Sequence, residues 1–155
     1  MKLATIATLT AALAVAACNL PVVDKESDGV ARTFFDEVRS GADLGRDTHV
    51  DPSLETAIAA EGFSRIRTLL PPGPPSKVNN TGYSYNTSSG VGSAARLSHQ
   101  YVWGAREVTI QTFMKKPPGG TSWFIYALEA DLGGAQPAIV VGAEPAAAGG
   151  VGGGD

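Results

Sequence analysis

His99 is the residue whose type and spacing come closest to chemistry. It stands in the run Leu97, His99, Tyr101, Trp103, which alternates with Arg96, Ser98, Gln100 and Val102. Period two places alternate residues on one face of a strand. An imidazole and a phenol sharing such a face could serve as general base and hydrogen-bond donor if that face lined a cavity. No carboxylate neighbours His99 in sequence, so the reading that prevails is a histidine in a sheet, hydrogen-bonded or half exposed. His99 and Tyr101 are the only catalytic candidates. Glu129 and Asp131 end the last apolar run and read as its exit into solvent.

Other chemistries find less support. Asp47, His49 and Asp51 are the one grouping with metal-ligand character, but no H-x-x-x-H or C-x-x-C spacing accompanies them, and no metal or cofactor is expected. Gly90-Val91-Gly92-Ser93-Ala94-Ala95 matches G-x-G-x-x-A in letters. A dinucleotide site needs a helix after those glycines, whereas a strand pattern follows, so they read as a turn. No G-x-S-x-G elbow occurs. Tyr101, Trp103, Trp123 and Tyr126 would bury large areas. At strand spacing they read as core, and any pocket they lined would suit an apolar or amphiphilic small ligand.

A different chemistry is written at the start of the chain. Lys2 is followed by an uncharged apolar run from Leu3 to Val15, about 20 Å long as a helix and short of the roughly 20 residues a membrane span needs. Charged start, apolar middle and small residues before a cut are the marks of a secretory signal. Val15-Ala16-Ala17-Cys18 closes the run with the only cysteine. This segment resembles the lipobox of bacterial lipoproteins. The resemblance implies diacylglycerol on the Cys18 thiol, cleavage between Ala17 and Cys18, and acylation of the new amino group. Two or more acyl chains anchor a protein stably. Asn19 after the cysteine, where Asp would favour inner-membrane retention, implies the outer membrane facing the periplasm in a Gram-negative host. In that setting the sequons at Asn79 and Asn86 are ordinary polar residues.

Composition narrows the partners. The chain has 155 residues with 12 basic and 15 acidic side chains; loss of Lys2 with the leader leaves a net charge of −4. Nucleic acid would require a basic stripe, and none is present. No polybasic patch for anionic lipid exists either. With its sole cysteine lipidated the domain has no disulfide and must stand on its core. The partners expected are the membrane through Cys18 and either an apolar small ligand or another envelope protein.

Residues 1–17 read as signal peptide, 18–26 as lipidated tether, 27–132 as a single domain and 133–155 as a disordered Gly/Ala/Pro-rich tail in which only Ile139 to Val141 could adhere to the domain. Asp24 or Ser27 can cap a first helix whose apolar face carries Val30, Phe34 and Val38, ended at Gly41. Asp51-Pro52 predicts a helix start with a stripe of Leu54, Ala57 and Ile58. Gly62 interrupts it, and Phe63 to Leu70 forms a further short helix, stopped by Pro71 to Pro75. Strands are predicted over 78–85, about 96–103, 107–114 and 123–132. The last is apolar on both sides, with Trp123, Ile125 and Ala127 against Phe124, Tyr126 and Leu128.

The fold class expected is α+β, with N-terminal helices packed on a curved, about four-stranded antiparallel sheet. Ala31-Arg32-Thr33-Phe34-Phe35, the Phe63 to Leu70 segment, Tyr101-Val102-Trp103 and Trp123-Phe124-Ile125-Tyr126 carry a resemblance to the nuclear-transport-factor-two-like cone folds, with the cystatin-like sheet wrapped on one helix as the competing likeness. That superfamily contains binding modules, isomerases and dehydratases, so the resemblance implies a fold without a single activity.

Overall fold

The computed structural model describes residues 23–44 and 49–143. Cys18 and the segment before it, Asp47, and residues 144–155 lie outside the described residues. Two helices, α1 (Lys25–Ser40) and α2 (Ala57–Leu69), precede five strands: β1 (Lys77–Ser88), β2 (Gly92–Trp103), β3 (Arg106–Lys116), β4 (Phe124–Asp131) and β5 (Ile139–Gly142). The strands form one antiparallel meander in chain order, the arrangement short turns impose on successive strands. Among the described residues no helix is long and apolar enough to cross a membrane.

The first helix begins earlier than the sequence predicted. Asp24 is its cap, accepting hydrogen bonds from the backbone N–H groups of Glu26 and Ser27, so part of the expected tether is helical. Ser27 instead turns inward, fully buried, and donates its hydroxyl to the Asp24 carbonyl. The buried stripe is Ala31, Phe34, Phe35 and Val38. Gly41 ends the helix in the left-handed region, its N–H turned back to the carbonyls of Glu37 and Val38.

The expected break at Gly62 does not occur. Asp51-Pro52 opens only a single 3-10 turn, Pro52–Leu54, and Thr56 caps a new helix that runs unbroken from Ala57 to Leu69. Restarting at Thr56 rotates the apolar stripe: Ala59, Phe63 and Ile66 are buried, while Ile58 is 84% exposed. Phe63 meets Phe34 edge-on across the helix pair. Gly62 serves close approach. A Cβ built there would lie 2.6 Å from a methyl of Val141 in β5.

The sheet has five strands, correcting the expectation of about four. The fifth comes from the stretch read as a disordered tail. Ile139 and Val141, two residues apart, both turn inward and are buried, pairing with Ala130 and Leu128 of β4. Four residues of alternating burial suffice because α2 covers them. At the other end of β4, Val50 forms a parallel bridge to Ile125.

The two-sided apolar character of β4 goes with its interior place between β3 and β5 and with an irregularity in its pairing. Met114 pairs with Ile125 and Phe113 with Ala127, so Tyr126 is the extra residue of a bulge. Ile125 and Leu128 therefore face the helices, while Tyr126 and Ala127 join Phe113 on the outer face. The inner face of the sheet (Leu97, Tyr101, Val108, Ile110, Met114, Ile125, Leu128) and the helical stripes form one core.

Candidate functional site

His99 lies in mid-β2, directly opposite Asn80 of β1, and both reach a carboxylate on the first turn of α1. His99 Nε2 is 2.8 Å from Asp28 Oδ1. Asn80 Nδ2 donates to the same oxygen at 3.0 Å. Arg32, one turn along the helix, holds its Nε 2.9 Å from Asp28 Oδ2. Burial works against the Asp28 charge, but the hydrogen bonds from Asn80 and His99 and the Arg32 guanidinium outweigh it and hold the carboxyl below its ordinary range. For His99 burial dominates: the ring is 1% exposed, and its pKa is lowered despite the adjacent carboxylate. His99 is thus neutral at pH 7, and Nε2 carries the proton it donates to Asp28.

Tyr101 shares the inner face with His99, as the alternation predicted, but does not join it in a site. The two ring centres are 6.2 Å apart. Tyr101 is packed on Phe35 at 4.5 Å and stacked on Trp103, 2% exposed. Burial pushes its phenol far above the ordinary range. A surface cleft of about 290 Å³, lined by Val23, Lys25, Asp28, Gly29, Arg32 and Asn80, reaches the outer side of the carboxylate but is not lined by His99. A molecule there would meet a weakly basic carboxylate already engaged by two donors and by the Arg32 guanidinium. The arrangement ties helix to sheet.

The aromatic residues go to separate places. Trp123 is buried, and its indole N–H donates to Asp24 Oδ2 at 3.0 Å. Lys116 Nζ lies over its ring at 4.8 Å, and Tyr85 meets it edge-on. At the far end of the strands Trp103 donates to the Gly73 carbonyl at 3.0 Å, which also accepts from Arg39; together they hold the proline-rich loop. Tyr126 is on the outer face beside Phe113, with Lys115 over its ring. Glu129 pairs opposite Gln111 within the sheet, while Asp131 is exposed and turns the chain by accepting from the Gly133 N–H.

The metal grouping is not assembled among the described residues, none of which form a cluster of three possible ligands. His49 donates from Nδ1 to the Trp123 carbonyl, and Asp51 caps the 3-10 turn and pairs with Lys115. The glycines of the G-x-G-x-x-A match form the β1–β2 turn, Gly90 and Gly92 both at positive φ, and β2 follows where a helix would be required.

Sequence reasoning missed Asp28. Its partner in β2 is 71 positions away, but a signal existed. Asp28 stands three residues before Ala31 and seven before Phe35, so helical period puts a carboxylate on the core stripe, where it needs donors. Also missed was a cleft of about 410 Å³ between the end of α1 and the start of α2. Val38, Leu54, Ala60 and Phe63 give it apolar walls, and Asp43, Glu55, Thr56 and Arg67 add polar groups. Its size falls in the range of small-molecule sites. Comparison with protein-family models, curated proteins and solved structures finds no match to the chain.

Proposed function

We propose that this chain is a lipid-anchored module of the bacterial cell envelope that works by binding or as a structural piece, without catalysis. The observation that carries the reading is the placement of Val15-Ala16-Ala17-Cys18 at the end of an uncharged apolar run, six positions ahead of the helix cap Asp24. An acylated Cys18 would then add a membrane anchor without disturbing any packed residue of the domain. The non-catalytic part is supported by His99, whose donor is engaged by Asp28 beneath α1. The order of two helices and then an antiparallel meander is compatible with the cone-fold likeness, which remains part of the proposal. Intact mass of the native product tests the reading. Loss of residues 1–17 and addition of diacylglycerol plus an acyl chain on Cys18 are expected, and Cys18→Ala should give a chain without lipid that is either soluble or unprocessed, with its leader retained. A native chain with a free Cys18 thiol and an uncleaved leader refutes it.

A second reading, carriage of an apolar or amphiphilic small molecule, is favoured by the cleft of about 410 Å³ with its Val38, Leu54, Ala60 and Phe63 walls. Laurate is a suitable probe. Saturation at 100 times its Kd should stabilise the fold by about 2.7 kcal/mol, and an unchanged unfolding midpoint at millimolar laurate counts against carriage.

A further inference from the structure

The β1–β2 turn, the β3–β4 loop and the start of α1 meet at one end of the domain. Gly92 approaches the proline loop so closely that a Cβ there would lie 3.1 Å from Pro117 C and Pro118 N. Trp123, at the end of that loop, is hydrogen-bonded to Asp24. What these segments present is unusual in one respect. Residues 86–92 (NTSSGVG) and 117–122 (PPGGTS) contain no charged side chain, and neither do residues 19–23 (NLPVV) of the tether. Val91 at the hairpin tip is 76% exposed and Tyr85 is 53% exposed; Pro117 and Pro118 are exposed beside them. Of the charges set just behind, Lys116 pairs with Glu26 and Lys115 with Asp51, and Lys25 at the start of α1 is exposed. The β2–β3 turn lies at the opposite end of the strands, about 35 Å away along the eleven residues of β3.

We propose that this uncharged end is a membrane-contacting face, seated on the bilayer that holds the Cys18 lipid, with Val91 and the Pro117-Pro118 loop in the headgroup layer. The inference rests on the anchor reading and adds an orientation to it. Six Cα steps separate Cys18 from Asp24, a reach of at most about 20 Å, and they end on the same end of the domain as the two loops. A tether that short keeps this end near the lipid. Uncharged loops cost far less to bring out of bulk water than charged ones, and in the headgroup layer their hydroxyl and amide groups keep hydrogen-bond partners. With Lys115 and Lys116 paired, contact is mainly apolar in origin, and Lys25 adds a single charge toward anionic lipid.

The test uses the full lipidated protein reconstituted in phosphatidylethanolamine/phosphatidylglycerol vesicles. Val91→Cys and, at the opposite end, Ala105→Cys are each labelled with a polarity-sensitive thiol fluorophore, the Cys18 sulfur being blocked as a thioether. The Val91→Cys label should shift to the blue and lose emission to brominated lipid, while the Ala105→Cys label does neither. Equal, water-like emission from both labels on a protein whose mass shows the lipid overturns this inference and leaves the anchor standing. Shielding of the Val91→Cys label from aqueous iodide without quenching by brominated lipid assigns the face to a protein partner and overturns it too. A second labelled thiol at Cys18 removes the anchor reading and this inference together.

Discussion

Replacing Gly62 by alanine should weaken the native chain and strengthen one that lacks the Val141 side chain. In the middle of α2, alanine is favoured over glycine by about 1 kcal/mol on helix propensity alone. Opposing this, the new Cβ would sit 2.6 Å from Val141 Cγ2, where carbon atoms prefer about 3.5–4.0 Å. Val141 cannot swing away freely. It is β-branched and stiff at χ1, it is 4% exposed, and its backbone is paired with Leu128. Overpacking of this kind costs about 1–3 kcal/mol, so Gly62→Ala should destabilise by about 1 kcal/mol net. In a Val141→Ala background the obstructing methyls are gone. There the same substitution should stabilise by up to about 1 kcal/mol, although Val141→Ala alone costs about 2 kcal/mol for two lost buried methyls. Urea unfolding of the four proteins, followed by fluorescence of buried Trp123, measures the cycle. A coupling near 2 kcal/mol is expected. Equal stabilisation by Gly62→Ala in both backgrounds would refute the packing of β5 against α2.

Asp28→Ala strands the buried donor of His99 and the half-buried donor of Asn80 and should cost about 2–3 kcal/mol in the same unfolding assay; a loss under about 0.5 kcal/mol counts against the helix–sheet tie. His99 binds its proton more weakly folded than unfolded, so its contribution is complete above about pH 6.5 and declines as pH falls from there toward its folded pKa, by at most about 1.4 kcal/mol per pH unit. His99→Gln, which keeps a donor and cannot titrate, should flatten that segment of the stability profile. Tyr101 behaves oppositely: its raised pKa means that the unfolded chain loses the phenolic proton first, so stability should fall as pH climbs above about 10, and Tyr101→Phe should abolish that share of the fall. Asp24→Ala removes the α1 cap and the acceptor of the Trp123 indole, and a loss of about 1–3 kcal/mol is expected by urea unfolding.

What could be read from the chain was whatever repeats locally. The α1 stripe through Phe34 and Val38 and the alternation of Leu97, His99 and Tyr101 depend only on neighbours in sequence, and both were legible. The Asp28–His99 tie depends on two segments meeting across the fold, and only the misplaced carboxylate on an apolar stripe hinted at it. Gly62 was read by its propensity, as a break, because the partner that makes glycine necessary is in β5. That strand escaped in turn because Ile139-Val140-Val141 sits among glycine, alanine and proline, where composition argues against order, and it is stabilised by α2 rather than by its own length. The bulge at Tyr126 was hidden for the same reason: one extra residue in β4 leaves the letters unchanged while reversing which face each one takes.

If the proposed lipid on Cys18 holds the domain from its N-terminal side, the polar contacts of α1 would carry the load. A pull along the tether would load the first turn of α1, and a helix held only by an apolar stripe could fray there, since first-turn N–H groups have no partners within the helix. In this chain the cap Asp24 takes the indole proton of Trp123, and Asp28, one turn on, takes donors from both β1 and β2. Both carboxylates stand at the positive end of the helix dipole, which favours their charge, and both are held below the ordinary carboxylate range. Load applied at residue 24 therefore reaches the sheet through directional bonds at two successive turns before it reaches the Phe34–Phe35 packing. His99, donating to Asp28 from mid-β2, is one of the groups that would make this transfer.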